Sequence, residues 1–530
     1  MKRTCGRGLL GVIALALIMG SAGAGTARAT EPEEEFRAYW VDAFGEGIYN
    51  AQQVDKLVAA AQAANMNAIV VQVGRRGDCF CNRAVMPRTH APIAPYPYDP
   101  LQTLIDKAHA AGIEVHGWVI ATAIANSTSP PTDPNHVYNA HPDWLMTRYD
   151  GSLPAGDRYL DPGHPAAADY IVSMYTSIVA NYDLDGINFD RIRYPDGQLP
   201  AWPADNSWGY NDIALARFYA ATGRSDRPLP DDAQWSQWRR EQITNIVRRV
   251  YVESYAINPA VAISADTITY GDGPDQVGGW EASRPYRETL QDWRAWMEEG
   301  ILDLNIPMNY KREHCTGGPI AGCFGGFSQQ AWYDNWNEFI KDHQYGRQAV
   351  VGSALYLNSL ADSIVQVRKA LAESAAGNSG HGWVGYSYRN PDDLALSGAR
   401  SGAASRAELA RALTEESEYD LETPPVFVDP AVVPEMGWKS QPTTGHVLGT
   451  VRTGGGEAFD QVAVELRHAE TDALIDTRLT DGTGHFGFVD LAPGRYTALV
   501  DVGAGYERRV VTFRVAAGAL AEIEVTLSRR

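Results

Sequence analysis

Three things are scarce in this chain: cysteine, basic charge and long apolar runs. The apolar run Leu9 to Met19 falls short of the roughly 20 residues that a membrane-spanning helix needs. Lys and Arg number 45 against 65 Asp and Glu, a formal net charge of −20. An acidic surface repels nucleic acid phosphates and anionic membrane, so both are poor partners, whereas a neutral or mixed-charge polysaccharide is not excluded. There is no H-E-x-x-H or other compact histidine spacing, which argues against a catalytic zinc. A G-x-S-x-G elbow and a phosphate-binding glycine loop are also missing. The sequence therefore implies no metal and no organic cofactor.

Of the five cysteines, Cys5 lies in the N-terminal segment, leaving Cys79, Cys81, Cys315 and Cys323. Four allow three pairings. A Cys315–Cys323 loop is the easiest single bridge. Cys79 and Cys81 stand two apart and would strain if joined, so crossed bridges between the two loops are the arrangement that satisfies all four. A zinc site is the minor alternative in an exported protein.

Export is read from the N-terminus. Lys2, Arg3 and Arg7 give a basic start, and Ala27-Arg28-Ala29 an A-x-A cleavage site after the apolar run. Residues 1–29 are expected to be a signal peptide, with an uncleaved anchor as the alternative. No cysteine follows the run where a lipid would attach. A secreted or periplasmic location follows, with no membrane partner after cleavage; the oligomeric state stays open.

At 530 residues, 45% hydrophobic and 21% charged, the chain is a soluble globular protein of more than one domain. From Phe36 to about Tyr388, short β-rich runs alternate with amphipathic helices. The expected strands are Phe36–Ala43, Ala68–Gly74, Glu114–Ile120, Gly186–Asp190, Val261–Asp266, Leu302–Tyr310, Gln348–Leu355 and Gly382–Tyr388. Val54, Leu57, Val58 and Ala61 recur at i, i+3, i+4 and i+7, one buried helical face. Eight strands alternating with helices predict an α/β fold, a (β/α)8 TIM-type barrel, over residues 30–418, with a doubly wound sheet as the rival. The span exceeds the usual length of such a barrel in two places, Pro195 to about Pro259 and Cys315–Phe327. Both follow strands expected to be fourth and sixth, at the face where barrel enzymes keep their sites. Residues 419–442 read as a proline-rich linker, and 443–530 as a small all-β sandwich with short alternating strands and glycine turns.

The chemistry concentrates on the fourth strand. In Gly186-Ile-Asn-Phe-Asp190 the period of two puts Asn188 and Asp190 on one face. If that face is inward, Asp190 stands at the C-terminal mouth, where glycoside hydrolysis needs a nucleophile or base. The bland reading is a structural Asp paired with Arg191 or Arg193. A second carboxylate is required. Asp266, ending the fifth strand, is the best topological partner as general acid; Asp42 and Asp78 remain alternatives, each otherwise a loop-capping Asp. Trp40, Trp118, Tyr194, Tyr270, Tyr310 and Tyr388 fall at or past strand ends, where aromatic faces can cover a sugar ring. Arg76, Asp78, His116, Trp118, Asn188, Tyr194, Asn309 and Tyr310 are the expected substrate-binding residues, though a lone barrel histidine such as His116 is more often a core residue.

The run Tyr182-Asp-Leu-Asp-Gly-Ile-Asn-Phe-Asp-Arg-Ile-Arg-Tyr-Pro195, with Glu114-Val-His-Gly-Trp118, His141-Pro-Asp-Trp144, Asp161-Pro-Gly-His-Pro165, Gln72-Val-Gly-Arg-Arg-Gly-Asp78 and Pro307-Met-Asn-Tyr310, resembles the family-10-like glycosyl hydrolases, exported bacterial barrel proteins. The resemblance covers about Phe36 to Tyr388 and implies a glycosidase, with Asp190 carrying the role of the fourth-strand Asp. It also implies a substrate class: some members cleave cell-wall (peptidoglycan) glycan strands already stripped of peptide. Many members carry Tyr or Asp where this chain has Arg191, and the Cys79-Phe-Cys81 segment departs as well. Thr480-Asp-Gly-Thr-Gly-His-Phe-Gly-Phe488 and Leu491-Ala-Pro-Gly-Arg-Tyr496 resemble the transthyretin-like domain attached to some carboxypeptidases, an accessory module. The non-enzyme alternative is a glycan-binding barrel that has lost the chemistry. An ester- or amide-cleaving enzyme is weaker, for want of a Ser-His-Asp set or metal cluster.

Overall fold

The computed structural model describes residues 33–196, 207–323, 325–503 and 505–530. The expected signal peptide, and the first part of the long insertion after the fourth strand, lie outside the described residues.

Strands β1 (Phe36–Val41), β2 (Ala68–Gly74) and β3 (Glu114–Ile120) are parallel neighbours. After β3 the chain makes a small antiparallel pair, β4 (Ala123–Asn126) with β5 (Asp157–Tyr159). It then returns to the main sheet as β6 (Gly186–Asp190), β7 (Ala262–Ile268) and β8 (Leu304–Met308). The seventh barrel position is split into β9 (Gln348–Ala349) and β10 (Val351–Ala354), and β11 (Gly382–Tyr386) is the eighth. β11 pairs with β1, and Gly352 of β10 registers with Met308 of β8, so the parallel sheet closes into a (β/α)8 barrel. The doubly wound alternative is thereby excluded.

Alternation along the strands builds two packing layers. Phe36, Ala38 and Trp40 of β1 join Ala68, Val70, Leu304, Ile306 and Val384 inside the barrel. Tyr39, Val41, Ile69 and Val71 face outward onto Val54, Leu57 and Ala61 of the helix Ala51–Ala63. Two glycines make the filled interior possible. A Cβ on Gly352 would meet the Trp40 ring at 2.2 Å, and one on Gly186 would meet His116 Nδ1 at 2.0 Å.

The remaining strands form two further sheets. β12 (Gly445–Thr453) pairs with β15 (His485–Leu491) and β18 (Leu520–Leu527). β13 (Ala463–His468), β14 (Leu474–Leu479), β16 (Gly494–Val500) and β17 (Arg509–Val515) make the second. Val447, Val464, Leu466, Phe486, Phe488 and Val525 pack as the core of this all-β region.

The segment expected to be a linker is anchored. Phe427 is fully buried against Trp383. Val432 bridges to Glu34, and Gln348 Nε2 donates to Pro434 O at 3.2 Å. Its prolines restrict helix to the single turn Gly437–Ser440 and leave carbonyls free to accept hydrogen bonds.

The disulfides also differ from the crossed arrangement. Cys79 bonds Cys81, and Cys315 bonds Cys323. Topology explains this: one pair follows the second barrel strand and the other the sixth, on opposite sides of the barrel.

Candidate active site

At the C-terminal end of the barrel, β6 and β7 run parallel in register up to Phe189 and Ala265. The next residue on each strand is Asp190 and Asp266. Ile187, Phe189, Ile263 and Ala265 belong to the outer core, so the period of two turns both carboxyls inward. Both line a cavity of about 280 Å³ together with Trp118, Tyr270, Tyr310, Lys311 and Tyr386.

The two acids sit in unlike surroundings. Asp266 is 2% exposed. Burial, and then the neighbouring Asp190 carboxylate, push its pKa well above the usual carboxyl range. The Trp40 indole N–H donates to its Oδ1 at 3.2 Å, and Asn188 also hydrogen-bonds it; both oppose the rise only in part. Asp190 is 8% exposed and accepts the Arg191 backbone N–H at 2.6 Å. That turn holds Arg191 at φ 47°, in the left-handed region.

The wall opposite is aromatic: Tyr310 stacks on Tyr386 at 5.5 Å, and Trp118 meets Tyr386 edge-on at 6.2 Å. Lys311 is buried, its Nζ donating to Thr269 O at 2.7 Å, and burial lowers its pKa to about 7. A buried carboxyl whose pKa is raised, a second Asp, a buried amine with its pKa lowered to about 7, the Arg191 and Arg193 guanidinium groups and flat aromatic faces therefore share one cavity.

Of the expected residues, Asp190, Asp266, Trp118, Tyr270 and Tyr310 meet there. Asn188 is buried beneath them, its Nδ2 donating to Ser264 Oγ at 3.0 Å, so it positions Asp266 and does not line the cavity. His116 faces inward but lies lower on its strand, fully buried, 3.1 Å from Glu114 and edge-on to Phe36. Asn309 points outward to Tyr333 O and Asn337 Oδ1, both at 3.0 Å. Tyr194 is fully buried at the wall of a neighbouring pocket.

Arg76 and Asp78 line a separate cavity of about 510 Å³ beside His136 and Asp133. There Asp78 holds its own turn, accepting the Arg76 N–H at 3.2 Å and pairing with Arg75 at 3.5 Å. Asp42, whose pKa burial raises, accepts the Phe44 N–H at 2.9 Å and does not line the Asp190 cavity. Tyr388 packs on Tyr39 and Arg406. Tyr386, two residues earlier, is the aromatic that faces the site.

Lys311 and Tyr386 were not singled out by sequence. A lysine directly after an inward-facing strand aromatic, and the parity of Tyr386 with the inward Val384, were the available signals.

A parallel barrel with two acids turned inward at this end is glycosidase-like in architecture. Residues 35–319 match the family model described as glycosyl hydrolase-like 10, and the chain belongs to that family. Its relatives include the glycosyl hydrolase DigH of Escherichia coli (strain K12), 28% identical over 281 residues that cover 50% of this chain and 58% of DigH. Another is the glycosyl hydrolase YngK of Bacillus subtilis (strain 168), 26% identical over 288 residues, covering 49% of each. The chain thus spans about half the length of these relatives. Among solved structures it is similar to the PgaB (BpsB) glycoside hydrolase domain from Bordetella bronchiseptica. The identity is 14%, with 70% of this chain and 98% of that one covered at a TM-score of 0.44.

Proposed function

We propose that the protein is an exported glycoside hydrolase in which Asp266 is the general acid and Asp190 the nucleophile or base. One observation carries this reading: a buried carboxyl, its pKa raised by burial and by the neighbouring Asp190, shares a strand-end cavity with that second acid. Glycoside hydrolysis requires that division between two acids. Asp266 delivers its proton to the leaving oxygen while Asp190 faces the developing oxocarbenium ion. The Tyr310–Tyr386 wall and Trp118 cover the apolar sugar face.

Two disulfides suit an oxidising compartment, and no described helix is long and apolar enough to cross a membrane. The substrate we favour is the peptide-stripped cell-wall glycan suggested by the sequence resemblance. The all-β region serves as a stabilising module, tied to the barrel by Arg217–Asp460 at 2.7 Å and Arg249–Asp481 at 3.4 Å.

The test is incubation of purified protein with intact and amidase-stripped strands, followed by reducing-end and fragment analysis. New reducing ends that vanish in Asp190→Asn and Asp266→Asn are expected. Binding without cleavage would establish a glycan-binding barrel instead, and full activity in Asp190→Asn would remove that residue from the mechanism.

A further inference from the structure

Beside the acid pair lies a second pocket of about 460 Å³ that shares Arg191, Arg193 and Tyr270 with the first. A polymer seated over Asp190 and Asp266 would lay its neighbouring residue here. The lining is unusual for so acidic a protein: three guanidinium groups, Arg148, Arg191 and Arg193, converge on it. Arg191 pairs with Asp157 at 3.1 Å, which is itself 3.5 Å from Arg76, and Arg193 pairs with Asp196 at 3.0 Å.

Arg148 differs. Among the described residues it makes no ion pair: its guanidinium lies over the Trp208 ring at 5.0 Å, and its enclosed Nε has no hydrogen-bond partner. Among the described residues this guanidinium thus has no carboxylate within ion-pair distance, and Asp150 acts on it only at longer range. Tyr159 and Trp208, edge-on to each other at 5.3 Å, supply flat apolar surface beside it. Arginine in this setting offers the planar fork that matches a carboxylate with two parallel hydrogen bonds.

The geometry points to a carboxylate-binding subsite for an acidic sugar, with Arg148 as the anion-binding residue and Arg191 and Arg193 as its flanks. This rests on the glycosidase reading and sharpens it by naming what the substrate must carry next to the scissile bond. The anion has two chemical sources, a hexuronic acid or a sugar with a lactyl ether. Arg191 reinforces the subsite where the family resemblance leads one to expect Tyr or Asp.

Three probes test it: amidase-stripped glycan strands with free lactyl carboxyls, the same strands with those carboxyls converted to methylamides, and a glucuronate oligomer. In the wild type, KM for the methylamide strands is expected to be at least about tenfold above that for the free acid, the weight of one charge-assisted contact. That ratio should collapse towards one in Arg148→Gln. In Arg148→Lys, which keeps charge but not the fork, it should fall between. A wild-type ratio near one, or a ratio unchanged in Arg148→Gln, overturns the proposal. Should Arg148→Gln not fold, the wild-type and lysine ratios decide alone. Lower KM for the glucuronate than for the lactyl acid, or the reverse, identifies the source and supports the class. If no strand is cut, the hydrolase reading fails by itself. Calorimetric Kd values for the free-acid and methylamide strands then decide the subsite, which stands at a tenfold ratio and falls at parity or without binding.

Discussion

The two ends of the barrel bury charge in opposite ways. At the base, Arg37 is fully buried and every arm is engaged: Nε on Glu35 at 2.8 Å, Nη2 on Glu33 at 2.9 Å, Nη1 on Asp429 O at 2.7 Å. Phe427 lies under the guanidinium at 4.2 Å. Asp303, also fully buried, accepts from the Ile263 N–H at 2.8 Å and Trp438 Nε1 at 2.7 Å and pairs with Lys439 at 3.0 Å. At the mouth, among the described residues, Asp266 has no cationic partner and is held by Trp40 and Asn188, and the Lys311 amine is held by Thr269. Charges at the base are neutralised where they sit, whereas burial at the mouth shifts Asp266 and Lys311 towards their uncharged forms. The first arrangement supports the fold, while the second stores reactivity, as perturbed groups at strand ends generally do.

Breaking each end should therefore show in a different measurement. The largest effect belongs to the mouth. Asp190→Asn should lower kcat on a cleavable glycan by about 10³-fold, the middle of the range for acid–base groups, with a melting temperature close to the wild type. The base should do the reverse. Asp303→Ala strands Lys439 without its carboxylate, and removing one partner of a buried pair costs about 3–5 kcal/mol. Denaturant unfolding should show that loss, while kcat of the folded fraction holds. Loss of activity without loss of stability in Asp303→Ala would dissolve the comparison.

The contrast was only partly legible in the chain. Strand runs such as Ala68–Gly74 and Glu114–Ile120 announce a parallel barrel because both their faces are buried, and Asp190 and Asp266 end two such runs. Which inward residue reaches the cavity depends on height along the strand, and hydropathy does not encode height. His116 and Trp118 share a face, yet only Trp118 lines the site. The base was opaque for another reason. Glu33, Glu35, Arg37, Asp303 and Asp429 look like ordinary surface charges until closure and the returning segment at Phe427–Pro434 bring them together. The pairing of Cys79 with Cys81 likewise depended on knowing that the second and sixth strands stand opposite each other.

The smaller effects concern pH, and the two mouth groups act with opposite sign. Folding raises the pKa of Asp266, so the native state holds its proton more tightly than the unfolded chain. The stability it contributes is complete below the unfolded carboxyl value of about 4 and is lost as pH rises towards the folded value. Asp266→Asn should therefore match the wild type at low pH and become progressively the more stable protein as pH rises, although inactive. In the wild type, kcat should fall on the alkaline side as Asp266 loses its proton. Lys311 runs the other way. Its folded pKa of about 7 lies below the unfolded value of about 10.4, so the native state binds fewer protons and stability should climb between the two. The slope attributable to it is at most about 1.4 kcal/mol per pH unit. In Lys311→Met that rise should vanish from unfolding curves taken at pH 7 to 10. An unchanged slope would mean that the buried amine stays charged, and Lys311 would then carry its charge without a counter-carboxylate, unlike the paired Arg37 and Lys439 at the base.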